Sequence, residues 1–147
     1  MVAHRPATLD DAVALLDLRR RSILELAAQG LPAGEAEAWA AKLTLAGMER
    51  KLRELEIWVA ELDGVAAAWG AIRGGTLEGL YTAPEFAGRG IASGMLDRFE
   101  RLMVARGVAA VYAEASSNAL GFYLRRSYRR SGPPTAGGAW PITKDLR

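Results

Sequence analysis

The sequence predicts a single α/β domain over residues 1–147, with a mixed but mostly antiparallel sheet of about seven strands and about four flanking helices. The first observation is a run of three β-rich segments between residues 56 and 82, joined by tight turns, which indicates an antiparallel meander. The second is that a helical segment and another β-rich segment follow directly. Such a strand-helix-strand crossover adds a parallel strand to the same sheet.

The N-terminal third predicts one strand and two helices. "VAHRPA" is the first strand, and Thr8 begins a helix with a capping-box pattern, because Asp11 stands at the third helical position. The apolar stripe of this helix extends to about residue 25 through Leu9, Val13, Leu16, Ile23 and Leu24. After a break at "QGLPAG", one helix is predicted from about Glu35 to Leu55.

Turn and cap signals define the remaining elements. Asp63-Gly64 predicts a two-residue hairpin turn, because both of its positions need positive φ, and Gly74-Gly75 predicts the second turn of the meander. A helix is predicted from about Gly90 to Arg106, with Gly107 as a left-handed C-cap. The chain then continues through a strand in "VAAVYAEA", a short helix in "SSNALGFYLRRS", and two strands in "YRRS" and about residues 138–144.

Composition excludes several classes of function. The chain has no cysteine, which excludes disulfides, thiolate metal sites and a cysteine nucleophile, and no spacing of His, Asp and Glu indicates a metal. No apolar run approaches the ~20 residues of a membrane span, and no signal peptide is apparent, so we expect a cytoplasmic protein with no membrane partner. No dense Lys/Arg stripe with interleaved aromatic residues appears, so nucleic acid is not an expected partner either.

Charge and glycine both concentrate in the second half of the chain. Residues 84–147 carry 10 basic and 5 acidic side chains, a balance of +5, which suits either a small polyanion or simply solvated helix surfaces. Within it, "AGRGIASG" brings Gly88, Gly90 and Gly94 to a predicted helix start. The glycines fit a tight strand-to-helix loop or a cradle of backbone N–H groups for a phosphate. A dinucleotide fingerprint fits less well, since Ser93 occupies its third glycine position.

The residues around the glycines carry a family resemblance. "LEGLYTAPEFAGRGIASGML" resembles the acyl-CoA-binding segment of the GCN5-related N-acetyltransferases, in which a Q/R-x-x-G-x-G/A motif at a helix start holds the pyrophosphate. Gly90 and Ala92 match the fourth and sixth positions of the motif, whereas Ala87 replaces the usual Gln or Arg. The resemblance implies acetyl-CoA as cofactor. It implies contacts from the segment Gly88, Arg89, Gly90, Ile91, Ala92 and Ser93.

A second segment of the same family lies downstream. "EASSNALGFYLRRSY" resembles the family's A-S-x-N-A-x-x-F-Y-x-x-x-G-F segment: Asn118, Phe122 and Tyr123 align, and Ser127-Tyr128 replaces Gly-Phe. The resemblance implies that Asn118 and Phe122 contact the cofactor. It also implies that Tyr123 contacts the cofactor and is the acid that protonates the CoA thiolate, whereas an aromatic residue on a short helix is otherwise a core residue.

The resemblance also implies the rest of the reaction. An acetyl group passes to an amine, and the strand end Leu80, Tyr81 and Thr82 contacts the cofactor and supplies a backbone N–H to the developing oxyanion. The family often places a glutamate near the position of Glu78. Glu78 stands on an otherwise apolar strand and is either a candidate general base or an exposed residue. Glu114, in "VYAEAS", is the rival base.

The acceptor cannot be identified from the sequence beyond a small-molecule or peptide amine. In this family the regions that correspond to "QGLPAGEAEAW" and Trp140 commonly shape the acceptor pocket, and homodimers are common. The competing class of function is a non-catalytic acyl-CoA-binding or sensor module, which keeps the phosphate cradle but has no working base.

Overall fold

The computed structural model describes residues 1–147 as one seven-stranded sheet with five α-helices. The strands are β1 (Val2–Pro6), β2 (Glu56–Leu62), β3 (Val65–Arg73), β4 (Thr76–Thr82), β5 (Ala110–Ala115), β6 (Arg129–Arg130) and β7 (Trp140–Asp145). The helices are α1 (Ala12–Glu25), α2 (Glu35–Ala41), α3 (Leu45–Glu54), α4 (Ile91–Ala105) and α5 (Leu120–Leu124). No helix combines the length and the apolar character that crossing a membrane requires.

The sheet order is β1-β2-β3-β4-β5-β7-β6, and β4 with β5 is its one parallel pair. The predicted mixed, mostly antiparallel sheet is therefore confirmed. The meander turns where expected, since Asp63 and Gly64 have φ values of 53° and 77°. Gly107 ends α4 with a φ of 79°, and the N–H of Val108 donates to the Met103 carbonyl, as in a left-handed C-cap.

Two details of the helical prediction are wrong. The single helix predicted from Glu35 to Leu55 is two helices, because Thr44 adopts an extended conformation and caps α3 by accepting from the Gly47 N–H at 3.0 Å. The predicted stripe of α1 is also displaced: of its residues only Ile23 is buried, Leu9 and Val13 are exposed, and the rest of the buried face is formed by Ala12, Leu15, Leu18 and Ser22. A helix with many apolar residues offers several stripes, and packing selected another one.

Helices cover both faces of the sheet. One core joins α4 and α5 to β3, β5 and β7 and contains Phe99, Met95 and Tyr123, while the other joins α1 and α3 to β2 and β3 around Trp69. Gly70 in β3 allows α4 to approach closely, since a Cβ there would lie 2.5 Å from the Phe99 ring. The indole N–H of Trp69 donates to the Leu15 carbonyl at 3.0 Å and ties α1 to the opposite face.

Candidate active site

A cleft opens in the middle of the sheet because β4 and β5 separate soon after they begin to pair. Their parallel register covers only Thr76 with Tyr112 and Leu77 with Ala113. On its other side, β4 pairs Leu77 with Ile72 and Gly79 with Ala71, so that Glu78 is the extra residue of a β-bulge. Bulges bend a strand and re-aim its side chains, and this one directs the second half of β4 away from β5.

The separation leaves backbone groups of β4 unpaired on the cleft side. The N–H of Ala83 donates to the Ala67 carbonyl at 2.8 Å, and hydrogen-bonded pairs alternate along an antiparallel ladder. Tyr81 and Gly79 therefore pair toward β3, whereas the N–H groups of Leu80 and Thr82 point into the cleft. The strand end that the sequence singled out thus offers backbone donors at the cleft.

The start of α4 lies beyond this strand end and carries an unusual run of free donors. The six backbone N–H groups of residues 88–93 donate to no carbonyl or side chain, and the first satisfied one is that of Gly94, which donates to the Gly90 carbonyl at 3.0 Å. Gly88 and Gly90 both have φ of 76°, with Arg89 between them at negative φ. Alternating conformations of this kind turn successive N–H groups toward one concavity, which favours an anion.

The same helix start has room for such an anion. A Cβ added to Gly88 or Gly90 would meet no atom within 4 Å, so the space above them is open. The guanidinium of Arg89 lies 5.4 Å from the centre of the Phe86 ring and pairs with no carboxylate. Ile91 is buried in the core, so this predicted contact residue offers only its backbone. Ala87 adds no polar group.

Arg126 adds a cation to this place that sequence reasoning missed. One of its nitrogens donates to the hydroxyl of Ser93 in the first turn of α4, another donates to the Phe122 carbonyl at 2.9 Å, and the guanidinium lies 3.9 Å from the centre of the Phe122 ring. All three contacts are to uncharged groups. A cation at the positive end of a helix is unfavourable unless an anion joins it. Its only signal in the sequence is its place four residues after Phe122.

Tyr123 lines both the cleft between β4 and β5 and a second space that includes Ala92 at the start of α4. Its side chain is 7% exposed, and its hydroxyl has no hydrogen-bond partner within the chain. The ring packs edge-on against Phe122 and Tyr128, with centroids 5.1 and 5.4 Å away. Burial raises the pKa of the Tyr123 phenol, and the nearby Tyr81 adds to the effect. The phenol therefore keeps its proton well into the alkaline range.

Two cavities meet at Tyr123. The smaller one, of about 250 Å³, is lined by seven of the residues predicted to bind the cofactor: Leu80, Tyr81, Thr82, Ala92, Asn118, Phe122 and Tyr123. The amide oxygen of Asn118 accepts from the Ser116 hydroxyl at 2.7 Å. We call this space the donor groove, together with the start of α4.

The larger cavity, of about 610 Å³, lies between β4 and β5 and is covered by three other segments. Its walls come from residues 31–42, 76–81, 112–119, Tyr123 and 137–139. Trp39 and the α2 segment line it as the family resemblance implied, whereas Trp140 does not and lies 5.1 Å from the Arg130 guanidinium instead. We call this space the acceptor cavity.

Both predicted base candidates line the acceptor cavity. Glu114 accepts from the Tyr112 hydroxyl at 3.2 Å and pairs with no cation. Glu78, at the bulge, lies 3.8 Å from the Arg73 guanidinium. The structure thus brings Glu78, Glu114 and Tyr123 to one cavity from three separate elements.

Comparison with known proteins agrees with this geometry. The model of the acetyltransferase (GNAT) domain matches residues 25–142. A Rhodopseudomonas palustris protein named "GCN5-Related N-acetyltransferase: Aminotransferase, Class-II" is 28% identical, with a TM-score of 0.86 over 97% of this chain and 94% of that one. The PaiA N-acetyltransferase of Thermoplasma acidophilum, solved in complex with coenzyme A, is 19% identical, with a TM-score of 0.81 over 99% of both chains.

A third similar structure is an acetyltransferase from Thermus thermophilus, which is 19% identical, with a TM-score of 0.76 over 99% of this chain and 97% of that one. Among curated proteins there is no significant match. The family model nevertheless spans most of the chain, and the seven-stranded sheet with its split between β4 and β5 agrees with it. The chain therefore belongs to the GCN5-related N-acetyltransferases, enzymes that use acetyl-CoA as the acetyl donor.

Proposed function

We propose that this N-acetyltransferase acetylates a primary amine bound in the acceptor cavity, with Tyr123 as general acid and a cavity carboxylate as general base. The observation that carries the proposal is Tyr123, a residue that is 7% exposed, whose hydroxyl has no hydrogen-bond partner within the chain and which lines both the donor groove and the acceptor cavity. A phenol hydroxyl that no group of the chain engages is available to bond to a ligand in either space.

The residues of the donor groove fit the diphosphate of CoA. The six free N–H groups of residues 88–93 and the guanidinium of Arg126 are donors without internal anionic partners. Together they compensate for Ala87, which lacks the polar side chain of the family motif. When bound, acetyl-CoA supplies the thioester from which the acetyl group is transferred.

The backbone of β4 supports the oxyanion that develops during transfer. The Leu80 N–H points into the cleft because the ladder with β3 uses the alternate residues Gly79 and Tyr81. Donors fixed in this way are worth several kcal/mol in other enzymes, ~2.7–4 for a single one. A change of side chain at Leu80 does not remove this donor.

Tyr123 supplies the proton that the departing thiolate needs. A phenol is protonated at neutral pH even at its ordinary pKa near ~10, and burial raises the pKa of Tyr123 further, so the donating form is present in every cycle. The Tyr123 phenolate then regains its proton from solvent through the acceptor cavity.

A carboxylate accepts the proton that the amine loses. Alkylamines have a pKa near ~10 and arrive protonated, so the reactive neutral amine needs a proton acceptor nearby. Glu114 is our first choice, because it lines the cavity without a cationic partner, whereas Glu78 lies near Arg73. Either one can act directly or through one water.

The test is CoA thiol release by the full chain, with acetyl-CoA and a panel of amines that includes peptides, polyamines, amino acids and aminoglycosides. Release that depends on one amine, with formation of its acetyl product by mass spectrometry, supports the proposal. Tight binding of CoA with no release for any of the amines would instead favour an acyl-CoA sensor.

A further inference from the structure

The geometry points to an acceptor that is a small amine with a second positive charge, of the diamine or polyamine type. This inference rests on the proposed function, because it concerns the molecule that fills the acceptor cavity. It is carried by the charge of the cavity wall, by its aromatic side chains and by its shape.

The wall of the acceptor cavity is acidic although the chain as a whole is slightly basic. Its charged side chains are Glu35, Glu78 and Glu114 against Lys42, which is three carboxylates to one ammonium, or a balance of −2. Glu35 and Glu114 form no ion pair, and Glu78 has only Arg73 at 3.8 Å. Carboxylates that remain unpaired in a concave site attract cations and repel anions.

The three carboxylates come from different sides of the cavity. Glu78 and Glu114 belong to the sheet, next to the cleft where the reacting amine must lie. Glu35 belongs to the first turn of α2, on the segment that covers the cavity. One end of the acceptor can therefore lie at the catalytic carboxylates while the other end meets Glu35. A monoamine uses only the first of these two places.

Aromatic side chains line the same cavity. Trp39, Tyr81 and Tyr112 all contribute to the wall. Aromatic faces stabilise alkylammonium groups and pack against methylene chains, by about 0.5–1 kcal/mol for each exposed cation–π contact. Acidic and aromatic groups together suit a cation on an alkyl chain better than a sugar phosphate or an amino acid.

The shape of the cavity favours a small molecule. It is covered by α2 on one side and by residues 137–139 of the loop before β7 on another, and its volume of about 610 Å³ lies within the usual range for small ligands. Tyr123, the proposed acid, lines the same space, so the reacting amine is expected at its end of the cavity.

The test uses three acceptors with the same four-carbon chain: 1,4-diaminobutane, 1-aminobutane and 4-aminobutanoate. Their far ends are positive, neutral and negative, and their reacting amines are alike. With the full chain and saturating acetyl-CoA, we expect kcat/KM to fall in that order, by about tenfold from the diamine to the monoamine, as for one added charge contact in a partly enclosed site. Equal values for the three acceptors, or the reverse order, would overturn the inference.

A matched pair of variants tests whether the preference for the diamine arises in the acceptor cavity. Glu35→Gln should reduce the ratio of diamine to monoamine kcat/KM by about threefold to tenfold, since it removes the charge that meets the far ammonium. Glu37→Gln makes the same change on the exposed side of α2, outside the cavity, and should leave the ratio unchanged. An unchanged ratio in Glu35→Gln contradicts the placement of the second charge.

Binding separates this inference from the proposed function. If none of the three acceptors is acetylated, calorimetric titration of 1,4-diaminobutane and 1-aminobutane into the CoA-bound protein decides between them. Diamine binding that is stronger than monoamine binding and is weakened by Glu35→Gln keeps the acceptor class, although the proposed reaction has failed. No preference for the diamine overturns the acceptor class itself.

Discussion

The donor groove and the acceptor cavity meet at Tyr123 but offer opposite kinds of groups to a ligand. The donor groove has six free backbone N–H groups and two guanidinium groups, those of Arg89 and Arg126, without carboxylate partners. The acceptor cavity has three carboxylates and one ammonium. One region is electropositive and mainly backbone, and the other is electronegative and made of side chains.

This difference explains why one region can be predicted from the sequence and the other cannot. The backbone cradle depends on glycines at fixed spacing before one helix, so it occupies a contiguous stretch of the chain. The acceptor cavity is assembled from four separate segments and Tyr123, and no short stretch contains its pattern. The donor is therefore shared across the family, while the acceptor differs with the segments that cover the cavity.

The largest effect is expected at the junction of the two regions. Tyr123→Phe removes the proton donor but keeps the buried ring, so we expect kcat to fall by about a hundredfold or more with little change in the dissociation constant of CoA. Tyr128→Phe is the matched control, because Tyr128 is also buried in this cluster but donates to Glu100 at 2.8 Å, outside the cavity. Equal rates in the Tyr123→Phe variant and the native chain would remove Tyr123 from the reaction.

The direction in which kcat depends on pH follows from the pKa of Tyr123, the proposed proton donor. Burial raises the pKa of Tyr123, so the donating, protonated form persists as pH rises through the ordinary tyrosine range near ~10. We therefore expect no loss of kcat from phenol ionisation between pH 7 and about 10, measured at saturating substrates. A rate that has fallen to half by about pH 10 or below in the native chain, but not in Tyr123→Phe, would show an ordinary or lowered pKa of the phenol.

The next effect decides whether Glu114 or Glu78 is the general base in the acceptor cavity. For Glu114→Gln we expect kcat/KM to fall by about a hundredfold and its pH profile to lose the acidic limb, because an amide cannot accept the amine proton. Glu78→Gln should retain that limb, since its carboxylate lies beside Arg73 in the native chain. The measurement is the pH profile of kcat/KM for both variants with the best acceptor. Loss of the limb in Glu78→Gln alone would exchange the two assignments.

A smaller effect tests the donor side. Arg126→Gln removes a cation from the start of α4, and we expect CoA to bind about tenfold more weakly, as for the loss of one charge-assisted hydrogen bond. Arg125→Gln makes the same charge change one residue earlier, on an exposed side chain without a contact to α4. Calorimetry with CoA measures both variants. Equal losses would mean that general charge, and not the place of Arg126, supports binding.

The sequence was sufficient for the fold and for its turns and helix caps, but not for the opening of the cleft. Hairpin turns and caps are local signals, and Asp63-Gly64 and Gly107 adopt the predicted conformations. The bulge at Glu78 depends on how two strands align, and no local sequence pattern predicts it. Arg126 was missed for a similar reason, because its role depends on the packing of α5 against the start of α4.

The smallest expected effect distinguishes Gly90 in the donor groove from Gly94, which lies about one turn further along α4. Gly90 has a φ of 76°, so Gly90→Ala should lower the free energy of unfolding by about 1–2 kcal/mol and weaken CoA binding. Gly94 is helical, and a Cβ added there would meet no atom within 4 Å, so Gly94→Ala should raise that free energy by about 0.5–1 kcal/mol. Urea denaturation and CoA titration measure both variants. If Gly94→Ala also weakened CoA binding, the donor groove would extend one residue further into α4 than its free N–H groups indicate.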